Sequence, residues 1–172
     1  MVNSKKRSKN YPSYLRLYQS EELQTRSDIL FKCLVECDIC PRKCGVNRLA
    51  GQIGKCRSLE KPIISSALPH FGEEPPLVGT NGSGTIFFTN CNLFCIYCQN
   101  YEISRLKQGR EIENAQLASI MLNLQELGCN NINLVSPSHF VPQIVAALEI
   151  GIGNGLTIPI VYTTGDMIRS KH

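Results

Sequence analysis

Residues 83–100 read SGTIFFTNCNLFCIYCQN and contain the strongest structural signal in the chain. Residues 85–89 are apolar, aromatic or β-branched and follow two closely spaced glycines, which predicts a short buried strand. The strand leads directly into three cysteines with the spacing C-x-x-x-C-x-x-C, namely Cys91, Cys95 and Cys98. Three thiols so close together at the end of a strand can converge on one metal centre.

A set of three cysteines is unusual for a closed metal site. Structural zinc takes four protein ligands, and iron–sulfur clusters ordinarily take four thiolates. A cube of four irons held by three cysteines would leave one iron free to bind a substrate or cofactor. The residues alone leave two other interpretations open: a zinc site completed by a distant ligand such as His70 or Cys129, and buried thiols without a ligand role.

The length and composition are those of a folded domain. The chain has 172 residues, which allows one domain with a core and a small appendage, and 42% of its residues are hydrophobic while 19% are charged. The net charge of +4 comes partly from a basic run at residues 5–9. We predict that this run is a solvated terminus and that the chain binds no nucleic acid, because no interleaved aromatic residues follow it.

The sequence carries no sign of a membrane span or an export signal. No apolar run approaches the roughly 18 residues that a span needs, and charged and polar residues interrupt the start of the chain. We therefore expect a cytoplasmic protein without a membrane partner. The nine cysteines are an odd number, which excludes a fully paired set of disulfides. In the cytoplasm, such cysteines are metal ligands or redox-active thiols more often than disulfides.

Beyond residue 83 the hydrophobic pattern alternates between strands and helices. Asn114 is a candidate N-cap for a helix that Gly128 would end, and Pro142 suits the first turn of a second helix. Further strands are predicted at residues 131–135 and 158–163. The order βαβαβ predicts an α/β fold with a parallel sheet and right-handed crossovers. Such sheets bind ligands at the carboxyl ends of their strands, where the three cysteines are predicted to lie.

Residues 1–80 are interpreted as a loop-rich N-terminal extension and residues 81–172 as the βα core. In the extension, Ser20 is a candidate helix cap, residues 61–68 a candidate strand, and the proline-rich residues 69–76 are predicted to be irregular. Four further cysteines lie in its glycine-punctuated loops, namely Cys37, Cys40, Cys44 and Cys56. They fit structural zinc, a second iron–sulfur cluster or free thiols, and these alternatives stay open.

The three-cysteine loop after a first strand, with Tyr97 directly before the third cysteine, resembles the radical SAM superfamily. The surrounding segments are PHFGEEPPL from Pro69, GSGTIFF from Gly82 and CQNYE from Cys98. They are similar to the pyruvate formate-lyase activating enzyme-like branch, specifically to uncharacterised members with a cysteine-bearing N-terminus. The resemblance covers residues 14–165 and implies part of a radical SAM partial TIM barrel as the fold.

This resemblance implies that Cys91, Cys95 and Cys98 ligate a 4Fe-4S cluster and that Tyr97 lies near the adenine of S-adenosyl-L-methionine (SAM). SAM would bind the fourth iron through its amino and carboxylate groups. One electron, supplied by a donor such as flavodoxin or ferredoxin, would cleave it to methionine and a 5′-deoxyadenosyl radical. The radical would abstract hydrogen from a substrate, an oxidoreductase-like reaction for which a glycyl radical enzyme is a candidate protein substrate. Polar neighbours could hydrogen-bond around the thiolates, namely Asn90, Asn92, Gln99 and Asn100.

The chain departs from the superfamily pattern after its second predicted strand. A Gly-Gly-Glu segment usually holds the methionyl amino group of the cofactor at this position, whereas this chain has Ser136-Pro-Ser-His139. We interpret Ser136 as a candidate cofactor contact and His139 as a structural residue. The segment with His70, Glu73 and Glu74 is interpreted as a rigid loop rather than as acid–base machinery.

The resemblance also implies more βα units than the three strands predicted here. We therefore expect a C-terminally truncated member of the superfamily whose cofactor pocket is incomplete and whose isolated chain is weakly active or inactive. Two other functions stay open. One is a zinc-binding or iron–sulfur module without SAM chemistry, and the other is an inactive remnant.

Overall fold

A five-stranded mixed sheet lies at the centre of the computed structural model, which describes residues 12–163. Its strands are β1 Ile63–His70, β2 Ser83–Phe88, β3 Arg110–Glu111, β4 Ile132–Val135 and β5 Ile160–Thr163. They follow the order β3-β1-β2-β4-β5. β2, β4 and β5 run parallel, as the sequence predicts, whereas β1 is antiparallel to both β2 and β3. The basic run at residues 5–9 and the chain beyond residue 163 lie outside the described residues.

Helices connect the parallel strands, so the fold is α/β. The helices of the described residues are α1 Ser13–Gln19, α2 Glu22–Lys32, α3 Pro75–Val78, α4 Tyr101–Ser104, α5 Asn114–Glu126 and α6 Val141–Gly153. α5 precedes β4 and α6 precedes β5, and α2 packs against α6. Between residues 12 and 163, no helix is both long enough and apolar enough to cross a membrane.

The core lies between the central strands and the helices α5 and α6. Gly84 of β2 pairs with Ile132 of β4. A Cβ atom at Gly84 would lie 2.8 Å from the backbone oxygen of Asn131, so glycine allows the close approach of these two strands. Fully buried apolar side chains of this core include Ile86, Phe88, Leu117, Met121, Leu124, Ile132, Leu134, Phe140 and Leu156.

The ends of α5 and α6 follow the sequence signals with one correction. The N-cap of α5 is Glu113 rather than Asn114, because Glu113 and Gln116 form a capping box in which each side chain binds the other's backbone N–H. Gly128 has φ +84° directly after this helix, as a C-terminal glycine should. Pro142 lies in the first turn of α6, as predicted.

The sequence predicted a helix capped by Ser20, whereas the structure has two helices, α1 and α2, that meet at this point. Ser20 does not cap α2, because its hydroxyl donates to the backbone oxygen of Leu17 at 3.2 Å. The N-cap is Glu21, whose φ of +56° separates α1 from α2. Leu23 then anchors α2 in the core. Cys33, just beyond α2, is half-buried and donates its thiol to the backbone oxygen of Ile29 at 3.3 Å.

The proline-rich segment is more regular than predicted. β1 continues through Pro69 to His70, and Pro69 lies opposite Gly84. The N–H of Gly84 points away from β1 and donates to Asn131 O at 3.0 Å. Pro69 and Gly84 therefore form a pair without hydrogen bonds between them, and the missing N–H of proline costs the β1–β2 ladder no hydrogen bond. Residues 75–78 form the single turn α3, which has proline at its start.

Candidate functional site

The loop cysteines, Cys91, Cys95 and Cys98, follow β2 at the carboxyl edge of the parallel strands. Cys91 and Cys98 are half-buried and Cys95 is exposed. Tyr97, between them, is 97% exposed. On the neighbouring strand, Ser136 follows β4 with φ +57° and donates its N–H to Thr163 O at 3.1 Å. The structure therefore brings the loop cysteines and Ser136 to the same edge of the sheet.

A buried asparagine turns the chain from β2 into the loop. Asn90 is 1% exposed and has φ +62°, a conformation that asparagine tolerates better than most residues. Its side-chain amide donates to Arg57 O at 3.3 Å and to Ser58 Oγ at 3.1 Å. Asn90 thus ties the start of the loop to the segment after Cys56.

Three arginines hold the loop from outside. Arg42 donates to the backbone oxygens of Asn92 at 2.8 Å and of Leu93 at 3.1 Å. Arg105 donates to Phe94 O at 2.7 Å. The guanidinium groups of Arg57 and Arg105 lie 5.3 and 4.9 Å from the centre of the Phe94 ring, within the range of cation–π attraction. Sequence reasoning missed these arginines, because no local pattern pairs them with the backbone oxygens and the ring that they contact.

Donors point at two of the loop sulfurs. The N–H of Leu93 lies 3.4 Å from Cys91 Sγ, and the hydroxyl of Ser104 lies 3.3 Å from Cys98 Sγ. Ser104, in the short helix α4, is a site residue that no sequence pattern predicted.

The N-terminal cysteine group, Cys37, Cys40, Cys44 and Cys56, lines one small cavity of about 10 Å³. Arg48 and His139 line the same cavity. The N–H of Lys55 donates to Cys44 Sγ at 3.3 Å. A Cβ atom at Gly54 would lie only 3.1 Å from that sulfur, so the glycine lets the backbone close around it. The structure thus brings these four cysteines to one cavity.

Burial shapes the acidity of two of these thiols. Burial raises the pKa of Cys40, while hydrogen bonds from the backbone of Arg42 and the side chain of Asn92 act in the opposite direction. Burial also raises the pKa of Cys56, and the positive charge of Arg48 opposes this rise. Each of these two cysteines also senses the charge of Cys37, so the thiols lie close enough to interact electrostatically.

Asn92 joins the two cysteine groups. It is 3% exposed, and its side chain binds the thiol of Cys40. Its Oδ1 lies 3.9 Å from the sulfur of the adjacent Cys91. Sequence proximity pointed to Asn92 as a neighbour of the loop thiolates, but only the structure shows its contact with the N-terminal cysteine group.

His139 is enclosed at the edge where the two cysteine groups meet. Its side chain is 1% exposed, and Nε2 lies 3.0 Å from Thr89 O. The backbone oxygen of His139 accepts a hydrogen bond from Arg48 Nη1 at 2.8 Å. The ring also packs against Phe140, with the two ring centres 4.2 Å apart. These contacts tie the turn after β4 to the N-terminal extension.

His70 and Cys129 lie at the opposite end of β2 from the loop cysteines. His70 pairs with Ser83, the first residue of β2, and Cys129 is buried beside Gly84. At about 3.3 Å per residue, this strand separates them from the loop by roughly 17 Å. Neither residue is placed to complete a zinc site in the loop. His70 instead lies 3.3 Å from the Glu73 carboxylate.

Neither cysteine group has the close spacing of side chains that a single metal ion requires. Within residues 12–163, no three histidine, cysteine, aspartate or glutamate side chains are grouped so that they could hold a single metal ion. A cluster has a different requirement, because each thiolate binds a different iron and the sulfurs stand farther apart. The donor set of thiols with N–H and O–H groups directed at sulfur suits a cluster of this kind.

Comparison with known proteins gives one distant relative. The chain is 28% identical over 149 residues to the uncharacterised protein MJ0674 of Methanocaldococcus jannaschii. The aligned region covers 83% of this chain and 42% of that protein, so the chain spans less than half the length of this relative. No protein-family model matches the chain, and no solved structure matches it.

Proposed function

We propose that the chain binds a 4Fe-4S cluster through Cys91, Cys95 and Cys98 and binds SAM at the iron that lacks a thiolate. The observation that carries this proposal is the position of the loop. Three cysteines with the spacing C-x-x-x-C-x-x-C follow β2 at the carboxyl edge of parallel strands, where α/β folds place their ligands.

The chemistry of the loop supports a cluster over a single zinc ion. The thiols are not grouped for one ion, and the two distant residues that could have completed a zinc site are at the other end of β2. Leu93 N–H and the Ser104 hydroxyl donate to the sulfurs of Cys91 and Cys98, as neighbours of cluster ligands commonly do. The exposed Cys95 remains accessible to an incoming cluster.

The residues of this chain would bind and orient the cofactor. Ser136, on the neighbouring strand end, is the candidate contact for its polar groups, and Tyr97 is the candidate contact for its adenine. When bound, the cluster and SAM supply a one-electron cleavage that yields a hydrogen-abstracting adenosyl radical. We place this activity in the cytoplasm, with flavodoxin or ferredoxin as candidate electron donors. More specifically, the proposed fold is part of a radical SAM partial TIM barrel, and the proposed activity is the activation of a glycyl radical enzyme.

A second candidate function is a metal-binding or iron–sulfur module without SAM chemistry. The exposure of Tyr97 and Ile96, 97% and 83%, favours it, because an adenosine pocket would cover an aromatic ring that contacts the base. The two functions differ in one property. An electron-carrying or structural module has no iron that responds to SAM.

Anaerobic reconstitution of the chain with iron and sulfide tests the proposal. We expect bound iron and acid-labile sulfide, visible absorption from the cluster, and an EPR signal of the reduced cluster that changes when SAM is added. The same signal without any response to SAM would favour the module. Cys95→Ala is the critical variant, because an intact SAM response in it would contradict the assignment of the ligands.

A further inference from the structure

Arg48 is a buried positive charge beside the N-terminal cysteine group. Its side chain is 1% exposed, and none of the ion pairs among the described residues involves it. Its guanidinium donates to the backbone oxygens of Leu59 at 3.0 Å and of His139 at 2.8 Å. Carbonyl groups satisfy its donors but do not neutralise its charge, and an uncompensated buried charge is strongly unfavourable.

The nearest candidates for a counter-charge are sulfurs. Arg48 Nη1 lies 4.0 Å from Cys37 Sγ, and Cys56 lines the same cavity. Both cysteines belong to the wall of the cavity that Arg48 itself lines. The position of Arg48 therefore indicates that the functional form of the protein carries negative charge in this cavity.

The grouping of the sulfurs distinguishes a single-ion site from a cluster site. Thiolates on one zinc ion lie about 2.3 Å from it and thus about 4 Å from one another. The four sulfurs here are not grouped so closely, although they line the same cavity. The N-terminal cysteine group therefore lacks the grouping of a zinc–thiolate site.

We propose that Cys37, Cys40, Cys44 and Cys56 hold a second 4Fe-4S cluster, closed by four thiolates, with Arg48 as its buried counter-ion. Four thiolates around an iron–sulfur cube form an anion, which would supply the negative counter-charge that Arg48 obtains from no ion pair among residues 12–163. The N–H of Lys55 and the side chain of Asn92 contribute hydrogen bonds to the ligand sulfurs. This site is independent of the function proposed for the loop cysteines, because it uses none of them.

A chain without the loop cysteines isolates this site. We would prepare Cys91→Ser/Cys95→Ser/Cys98→Ser, reconstitute it anaerobically with ferrous iron and sulfide, and measure both elements and zinc. The expected result is about four irons and four sulfides per chain. Zinc without sulfide, or no retained metal, would overturn the proposal. Loss of the SAM response in the same variant concerns only the loop, so the two proposals fail separately.

Cys44→Ser in the otherwise unchanged chain provides the converse measurement. We expect it to lose about half of the bound iron while the SAM-dependent EPR change of the loop is retained. Cys33→Ser is the matched control, because Cys33 lies outside both cysteine groups, and it should retain all the iron. Equal iron in both variants would contradict the proposal, with far-UV circular dichroism checking that each is folded.

The role of Arg48 is tested by the reduction potential of the second cluster in the variant without loop cysteines. Reduction adds negative charge, so removing a nearby positive charge should shift the potential to more negative values. We expect this shift in Arg48→Met and a smaller one in Arg48→Lys, which keeps the charge. Arg26→Met, at an exposed arginine of α2, should leave the potential unchanged. An unchanged potential in Arg48→Met would remove the counter-ion assignment.

Discussion

Arg42 Nε donates a hydrogen bond to the backbone oxygen of Asn92 at 2.8 Å, across 50 residues of chain. Arg42 lies between two members of the N-terminal cysteine group, and Asn92 directly follows Cys91. The contact therefore holds the two cysteine groups at a fixed separation. Because its acceptor is a backbone oxygen, it depends on the path of the loop and on no particular side chain there.

Arg42→Ala should loosen the loop without unfolding the sheet. It removes two hydrogen bonds from a charged donor, which we expect to lower the free energy of unfolding by about 0.5–1.5 kcal/mol. The amides of residues 91–95 should exchange with solvent faster, and hydrogen exchange followed by mass spectrometry measures this. Arg16→Ala, at an exposed arginine of α1, is the control and should leave loop exchange unchanged. Unchanged exchange in Arg42→Ala would show that the contact does not restrain the loop.

Cys95→Ser should separate cluster binding from stability. Cys95 is exposed, so its substitution should change the free energy of unfolding by less than about 0.5 kcal/mol. We expect the reconstituted variant to lose iron and its EPR response to SAM. Chemical denaturation and iron analysis of the same preparation give both quantities. A variant that keeps its iron and its SAM response would exclude Cys95 as a ligand.

Tyr14→Phe should destabilise the packing of α1 against the segment before β5. The Tyr14 hydroxyl donates to Ile158 O at 2.6 Å, and burial raises the pKa of this phenol far above its usual value. Losing the donor should cost about 0.5–1.5 kcal/mol, which corresponds to a Tm lower by roughly 1–6 °C in a domain of this size. Tyr18→Phe, at a residue that is 37% exposed, should change the Tm much less. Equal Tm values for the two variants would contradict this account.

Glu149→Gln should stabilise the protein in a pH-dependent manner. Burial raises the pKa of Glu149 on α6, and the negative charge of Asp28 on α2 adds to the rise. The stability that this carboxyl contributes is fully present below its ordinary pKa of 4.5 and is lost as the pH rises through the folded-state value. The glutamine variant should therefore exceed the wild type at pH 7 by up to about 0.5 kcal/mol, and the difference should vanish below the ordinary pKa.

Urea denaturation at pH 7 and at a pH below 4.5 measures the difference in free energy of unfolding between the glutamine variant and the wild type. Glu126→Gln, at an exposed glutamate of α5, gives the effect of the substitution itself. A gain that is equally large at acidic pH would mean that charge is not its cause.

Local patterns predicted the parallel part of the fold. The apolar run before Asn90, the helix stop at Gly128 and the early proline of α6 are signals within a few residues, and each corresponds to an observed element. The same kind of signal failed at Ser20, because the hydroxyl found an acceptor inside the preceding helix. It failed again at Pro69, where the pairing of the strand decides whether a missing donor matters.

The candidate site was predictable only in its cysteines. Their spacing is visible in the sequence, and the four members of the N-terminal group do meet at one cavity. Arg48, Arg42 and Ser104 gave no such signal, because each acts on a partner that only the folded chain brings near. A buried arginine in particular looks like any surface arginine until its surroundings are known. The cysteines proposed as ligands were therefore predictable from their spacing, and the groups that contact them were not.

The two edges of the sheet differ in their capacity to pair with a further strand. β3 pairs with the outer side of β1 at Ile63 and Ile64. Farther along the same side, Pro69 has no N–H to donate to an added strand. The outer edge of β5 pairs with no other strand among the described residues. An additional parallel strand, from any source, would find its hydrogen-bonding partners beside β5. Enlargement of the sheet would thus extend the carboxyl edge that carries the loop cysteines and leave the β1 side unchanged.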